Sequence, residues 1–300
     1  MSKWLKDYLR IYCKKKTIKL HCVDMFSRKL HKIWIKKKLN NSFNIQYDSI
    51  NPDYLIFNVF GNKHFNKKYK NAVKIAIYTE NYIPDLDYVD YAIGHAHINY
   101  LDRYFKYSIF LWQNYKNINK IRKKVLNSPI RSKFCGALIS NGKNSDNFRL
   151  EFINELNKYK KVDMGGRYNN SIGYVVKNKN KFLSSYKFSI AMENTNGDGY
   201  ISEKIIHSFI SGTIPIYYGD YMIDEYINPK SYILIKSKKD MKAKIEYIKE
   251  IDNNDEKYKS ILKENVIKDE NFSNLIDKEL KLFLNNIFTQ NKSKAFRTNK

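Results

Sequence analysis

Residues 186–220 constrain the fold of this chain more than any other stretch. The apolar run Phe188–Met192 breaks into a polar, glycine-rich loop, Glu193–Gly199, and the loop enters a helical pattern. A second apolar run, Thr213–Tyr218, follows before Gly219-Asp220 breaks it. Continuous apolar runs suit strands buried on both faces, and two parallel strands need a crossover such as a helix between them. The segment therefore reads as a β–loop–α–β unit. Ser202 is the expected N-cap of a helix Ser202–Ser211, its hydroxyl accepting from a first-turn N–H. Ile205, Ile206, Phe209 and Ile210 form the buried stripe, and Gly212 is the expected stop.

The same alternation runs through most of the chain and predicts an α/β fold. Further strands are expected at Ile18–Val23, Tyr54–Asn58, Val73–Tyr78, Tyr91–Ile93, Phe134–Ser140, Val162–Met164 and Tyr232–Ile235. Other helical patterns fall at Phe148–Tyr159, Lys239–Ile251 and Ser273–Phe288. The polar, basic stretch Asn114–Ser132, with Pro129 near its end, reads as an interdomain linker. This gives an N-terminal domain over 1–125, a C-terminal domain over 126–288 and a frayed basic tail over 289–300.

The net charge is +25, yet eight Arg stand against a large Lys excess, in a chain rich in Asn, Ile and Tyr. Compositional drift explains that pattern better than a nucleic-acid interface, which favours the arginine fork. Residues 1–40 hold thirteen Lys or Arg against Asp7 and Asp24, with Trp4, Leu5, Tyr8, Leu9, Ile11 and Tyr12 among them. That start reads either as a solvated first helix and strand or as a peripheral contact with an anionic membrane. Cys13, Cys22 and Cys135 are too few and scattered for a disulfide framework or a zinc cluster. No apolar run nears the roughly 20 residues that span a bilayer, and no signal-peptide core is evident, so a cytoplasmic or peripheral protein is expected.

A loop at the carboxyl end of a parallel strand is where open α/β sheets bind ligands, and a helix N-terminus beside it favours phosphate. Lys204 adds a positive charge, Glu203 offers an acceptor for sugar hydroxyls, and the glycines allow close approach. These parts suit a diphosphate joined to a sugar. They equally suit an ordinary turn followed by solvent-facing helix residues.

The stretch Phe188…Glu193-Asn194…Gly199-Tyr200-Ile201-Ser202-Glu203-Lys204-Ile205…Gly212-Thr213-Ile214-Pro215-Ile216…Gly219 resembles the signature of the α-1,3-fucosyltransferases, in the style of the bacterial enzymes that make Lewis-type antigens. Upstream, Gly165-Gly166…Asn169-Asn170-Ser171-Ile172-Gly173-Tyr174…Lys177…Lys181-Phe182-Leu183 is similar to the preceding family segment, and Asn228-Pro229-Lys230-Ser231-Tyr232 to the following one. Thr79-Glu80-Asn81…Pro84…Asp90-Tyr91-Ala92-Ile93-Gly94 and Asp102-Arg103-Tyr104 resemble its acceptor-domain block, so the match covers about residues 51–235.

The resemblance implies a GT-B architecture, two Rossmann-like domains facing across a cleft. It implies inverting transfer of L-fucose from GDP-fucose to a GlcNAc or Glc hydroxyl of a glycan acceptor, an α-1,3 linkage, and no bound metal or nucleic acid. Glu80 falls on the catalytic carboxylate, with Thr79 where the family commonly has Gly. Arg149, Asn194, Tyr200, Glu203 and Lys204 fall on donor-contact positions, Glu203 also stabilising the oxocarbenium-like transition state; the role of Glu193 stays open. His95 and His97 lack evident third and fourth metal ligands, so hydrogen bonding on the acceptor side is expected of them instead, and His207 is expected to be structural. Two other readings are a related GT-B transferase with another GDP-sugar or acceptor, and a basic nucleic-acid- or membrane-binding protein on a decayed transferase fold.

Overall fold

A computed structural model describes residues 15–25, 27–39, 42–112, 118–142 and 147–298. The chain divides into two compact units. Unit 1 comprises residues 1–94, 98–107 and 274–300, and unit 2 residues 95–97 and 108–273. The apolar residues at the basic start, Trp4 to Tyr12, and Cys13 lie outside the described residues.

Unit 1 is built on strands β1 (Thr17–Val23), β2 (Asn44–Tyr47), β3 (Tyr54–Phe57), β4 (Val73–Ile77), β5 (Tyr91–Gly94) and β6 (Tyr104–Lys106). They form one sheet in the order β2-β1-β3-β4-β5-β6, every pairing parallel. The central strands β3 and β5 are buried at every position, which is why they read as unbroken apolar runs. The last long helix, Phe272–Thr289, packs here: Phe288 sets its ring edge-on to Tyr54 at 4.7 Å, and Lys16 Nζ donates to the Gln290 carbonyl at 2.8 Å just beyond the helix end.

Unit 2 holds β7 (Lys133–Ala137), β8 (Val162–Met164), β9 (Tyr186–Met192), β10 (Ile214–Tyr218) and β11 (Ile233–Leu234), again all parallel, in the order β11-β10-β9-β7-β8. Side chains alternate between two cores. Phe188, Met192, Ile214 and Ile216 pack with the helices Phe148–Asn157 and Met241–Asp252. Ala191 and Tyr217 pack with Ile205, Ile206 and Phe209 of the helix Lys204–Ile210.

Three expectations change. Asn114–Ser132 is no linker: it contains the helix Ile118–Leu126, whose Ile118 and Arg122 are buried in unit 2. Arg122 donates to the carbonyls of Thr213 at 2.9 Å and Ser231 at 2.7 Å, and burial pulls its pKa down to about 10. The chain therefore enters unit 2 at residue 108 rather than 126, because Phe110 and Ile118 complete that unit's core. At the other end, residues 274–288 belong to unit 1, and the supposed frayed tail is docked there. Its short helix Lys292–Ala295 buries Ala295, the Arg297 and Thr298 amides donate to Asp90 Oδ1 at 2.7 and 3.0 Å, and Arg297 pairs with Asp102. No helix among the described residues is long and apolar enough to cross a membrane.

Candidate active site

The strand order of unit 2 creates the site. From β7 the chain moves outward one way to β8 and then returns past β7 to β9 on the other side. Loops leaving the carboxyl ends of β7 and β9 therefore diverge and leave a crevice between them, the usual ligand position in an open parallel sheet. Arg149 reaches this crevice from the first turn of the helix after β7, and Asn194 from the loop after β9. Arg149 Nη1 donates to Asn194 Oδ1 at 2.8 Å and Nη2 to the Asn141 carbonyl at 3.0 Å. The arginine is 3% exposed, so the guanidinium is held in a defined plane.

The residue that follows β9, Glu193, is fully buried. Its Oε1 accepts from the Ser202 amide at 2.8 Å, and its Oε2 accepts from Ser202 Oγ at 2.7 Å and from Lys204 Nζ at 2.5 Å. These bonds make Glu193 the anchor for the start of the next helix. The helix begins at Lys204 with Glu203 at its N-cap, two residues later than expected, while the Ser202 hydroxyl does accept from the first-turn Lys204 amide at 3.4 Å, as expected, and donates to Glu193 Oε2. Lys204 Nζ donates as well to Ser202 Oγ at 3.1 Å. An ammonium has three donors, so one remains for a ligand.

Arg149, Glu203 and Lys204 line one hollow with Ile139, Met192 and Lys179. His207 lines it too, one turn after Glu203 on the same helix face; its Nδ1 lies 3.3 Å from Asn180 Oδ1, and burial, then Lys179, lowers its pKa. Lys179 escaped the sequence reading, and His207, expected to be structural, lines the hollow. The signal for His207 was its spacing of one helical turn from Glu203; Lys179 gave none, since it sits in a polar stretch on the separate helix Lys179–Leu183. Tyr200 lies further along the donor loop. It is 4% exposed and sets its ring edge-on to His95 at 5.1 Å, so it stands outside the set around the hollow.

His97 turns to Asp220, with Nε2 at 2.8 Å from Oδ2, and burial pushes the His95 pKa down to about 4. Among the described residues, no three His, Cys, Asp or Glu side chains are placed to hold a metal ion. Glu80 belongs to unit 1, exposed in the loop after β4. The preceding Thr79 is accommodated: it is not among the residues with positive φ, and its hydroxyl accepts from Asn58 Nδ2 at 2.8 Å, tying the loop to the end of β3.

Residues 128–265 match the C-terminal domain of glycosyltransferase family 10 (fucosyltransferase), and residues 18–114 match the α-(1,3)-fucosyltransferase FucT N-terminal domain. The chain is 31% identical over 252 residues to the α-(1,3)-fucosyltransferase FucT of Helicobacter pylori, an alignment covering 72% of this chain and 52% of that protein. It is 33% identical over 155 residues to a putative fucosyltransferase, R654, of Acanthamoeba polyphaga mimivirus, covering 47% of this chain and 26% of that one. It thus spans about half, or less, of the length of these relatives. Its fold superposes on crystal structures of an α1,3-fucosyltransferase with GDP (TM-score 0.77, 26% identity) and with GDP-fucose (TM-score 0.76, 27% identity), each covering 93% of this chain and 92% of the other. Two parallel α/β units of this kind are the expected GT-B class. With both domains of one family matched in order along the sequence, the chain belongs to glycosyltransferase family 10, the fucosyltransferases.

Proposed function

We propose that this chain transfers L-fucose from GDP-fucose, with inversion, to a GlcNAc or Glc hydroxyl of a glycan, forming an α-1,3 linkage. The observation that carries the donor half is the Arg149–Asn194 contact at the topological switch point of unit 2. A buried guanidinium there, with Lys204 and Lys179 around the same hollow, offers three cations to a leaving diphosphate. No bound metal is part of this proposal. Glu203, on the rim of that hollow, accepts from a sugar or ribose hydroxyl and stabilises positive charge developing at the anomeric carbon. Tyr200 supports the donor loop through its buried ring.

The acceptor half rests on unit 1. Inversion needs an acceptor oxygen that attacks opposite the departing GDP while a base takes its proton, and Glu80 is the exposed carboxylate we assign to that step. The loops after β3 and β4 leave the same edge of the parallel sheet as Glu80, and they carry Phe60, Phe65 and Tyr82, each at least 44% exposed. Exposed aromatic rings suit the apolar faces of sugar rings.

The test is an activity screen with GDP-fucose and a panel of β-galactosyl-GlcNAc acceptors, paired with Glu80→Ala. The variant is expected to lose about 10²–10⁴-fold in transfer while still binding GDP. Failure of the wild type to bind or consume GDP-fucose with any acceptor of the panel rejects the reading, and preference for GDP-mannose or a UDP-sugar replaces the donor.

A further inference from the structure

We propose that His97 and Asp220 form a latch that holds the donor loop in its binding conformation, so that His95–His97 acts as a brace for the donor site. Asp220 follows β10 and is 2% exposed. Its carboxylate joins three segments of unit 2: Oδ1 accepts from the Met222 amide at 3.1 Å, and Oδ2 accepts from the Gly199 amide at 2.9 Å and from His97 Nε2 at 2.8 Å. An ionised carboxylate can only accept, so Nε2 of His97 carries the proton.

The fit on the loop side is tight. Gly199 has φ +79°, and a Cβ there would stand 1.9 Å from the His95 carbonyl oxygen. The loop can thus present its amide to Asp220 only as glycine, pressed against the backbone of His95. The next residue, Tyr200, sets its ring against the His95 imidazole. Between Asn194, which bonds Arg149, and Ser202, which bonds Glu193, the Gly199-Tyr200 stretch is fixed by these contacts. His97 itself is outside the hollow of Arg149 and Lys204. Its effect on donor binding is therefore that of a positioning residue, exerted through Asp220 and the Gly199 amide. The three brace residues come from the connection between β5 and β6, two strands of unit 1, although they pack with unit 2.

The latch rests on the donor-site reading above, and its test keeps the two apart. His97→Ala removes the latch without touching the carboxylate, and His97→Gln restores an N–H at a similar reach. Hydrogen exchange across residues 193–200 is expected to speed up several-fold in His97→Ala and to return near the wild-type rate in His97→Gln. In turnover, His97→Ala is expected to raise the donor KM about tenfold, equivalent to about 1.4 kcal/mol, with kcat and acceptor KM nearly unchanged. GDP affinity by calorimetry is expected to fall in parallel. Unchanged exchange in His97→Ala overturns the proposal, as does faster exchange with unaltered GDP affinity, or a loss of kcat, acceptor KM and thermal stability together. A wild-type protein that ignores GDP-fucose rejects the function proposed above, while the exchange measurement still decides whether the loop is latched.

Discussion

Replacing Arg149 by Lys separates a binding arginine from a structural one. The guanidinium spans two acceptors, Asn194 Oδ1 and the Asn141 carbonyl, and a single ammonium cannot reproduce that fork. The bonds to Asn194 and Asn141 are cheap to abandon, because Asn194 is half-buried and Asn141 is exposed, so water can replace the arginine at both. The folded state should lose about 1 kcal/mol, a fall in Tm of about 2–4 °C. Ligand binding loses more. A charge-assisted bond to phosphate is worth about 1.5–3 kcal/mol, and the lysine gives up one of the two that a planar fork makes. GDP should therefore bind about 10- to 160-fold more weakly. Calorimetric titration with GDP alongside thermal unfolding checks both numbers. A folded Arg149→Lys protein that binds GDP within about threefold of wild type refutes the assignment of Arg149 to the diphosphate.

Two further outcomes follow from buried basic side chains. His95 has a folded pKa of about 4 against an ordinary 6.5, held down by burial, so the folded state resists the proton that the unfolded chain accepts. Stability is then fully present above pH 6.5 and is lost as pH falls toward 4, by about 3 kcal/mol in all; urea unfolding at a series of pH values should show that slope, and His95→Gln should flatten it. Arg122→Ala should cost about 3 kcal/mol or more, because it strips charged donors from the buried carbonyls of Thr213 and Ser231; a urea-unfolding loss under about 1 kcal/mol would show that the arginine is not a staple of unit 2.

The strands that sequence patterning finds are those buried on both faces, and the two it misses explain themselves. β2 reads Asn-Ile-Gln-Tyr, lies at the sheet edge and is mostly exposed, so no apolar run marks it; β6 has three residues. Pro215 sits inside β10 without breaking it: β10 pairs with β11 only from Ile216, so the missing N–H falls just before that ladder. The helix Ile118–Leu126 is hidden by its lysines and by Arg122, which takes the place an aliphatic residue would hold on the buried face. Its guanidinium finds carbonyls that are far away in sequence, and no local pattern announces them. The docking of Arg297 on Asp90 and Asp102 is hidden for the same reason.

In the candidate site, local chemistry was legible and pairing was not. Glu203 and Lys204 are adjacent to each other and to a glycine-rich loop, and a reader of the sequence counts Lys204 as a full charge offered to phosphate. In the fold, Glu193 directly follows β9 and, with no exposure of its own, must be matched by a cation. Lys204 is that cation. Its first duty is to make the buried carboxylate tolerable, and that pair, with the Ser202 bonds, sets where the helix begins and hence where Glu203 stands. Three charges thus divide into a positioning pair, Glu193 and Lys204, and a rim carboxylate, Glu203. In the function proposed above, the work of gripping an anion falls to Arg149, the third ammonium donor of Lys204, and Lys179, which lines the same hollow from a helix the sequence did not reveal. A strand order that parts the loops of β7 and β9 is what allows residues from three separate helices to converge there.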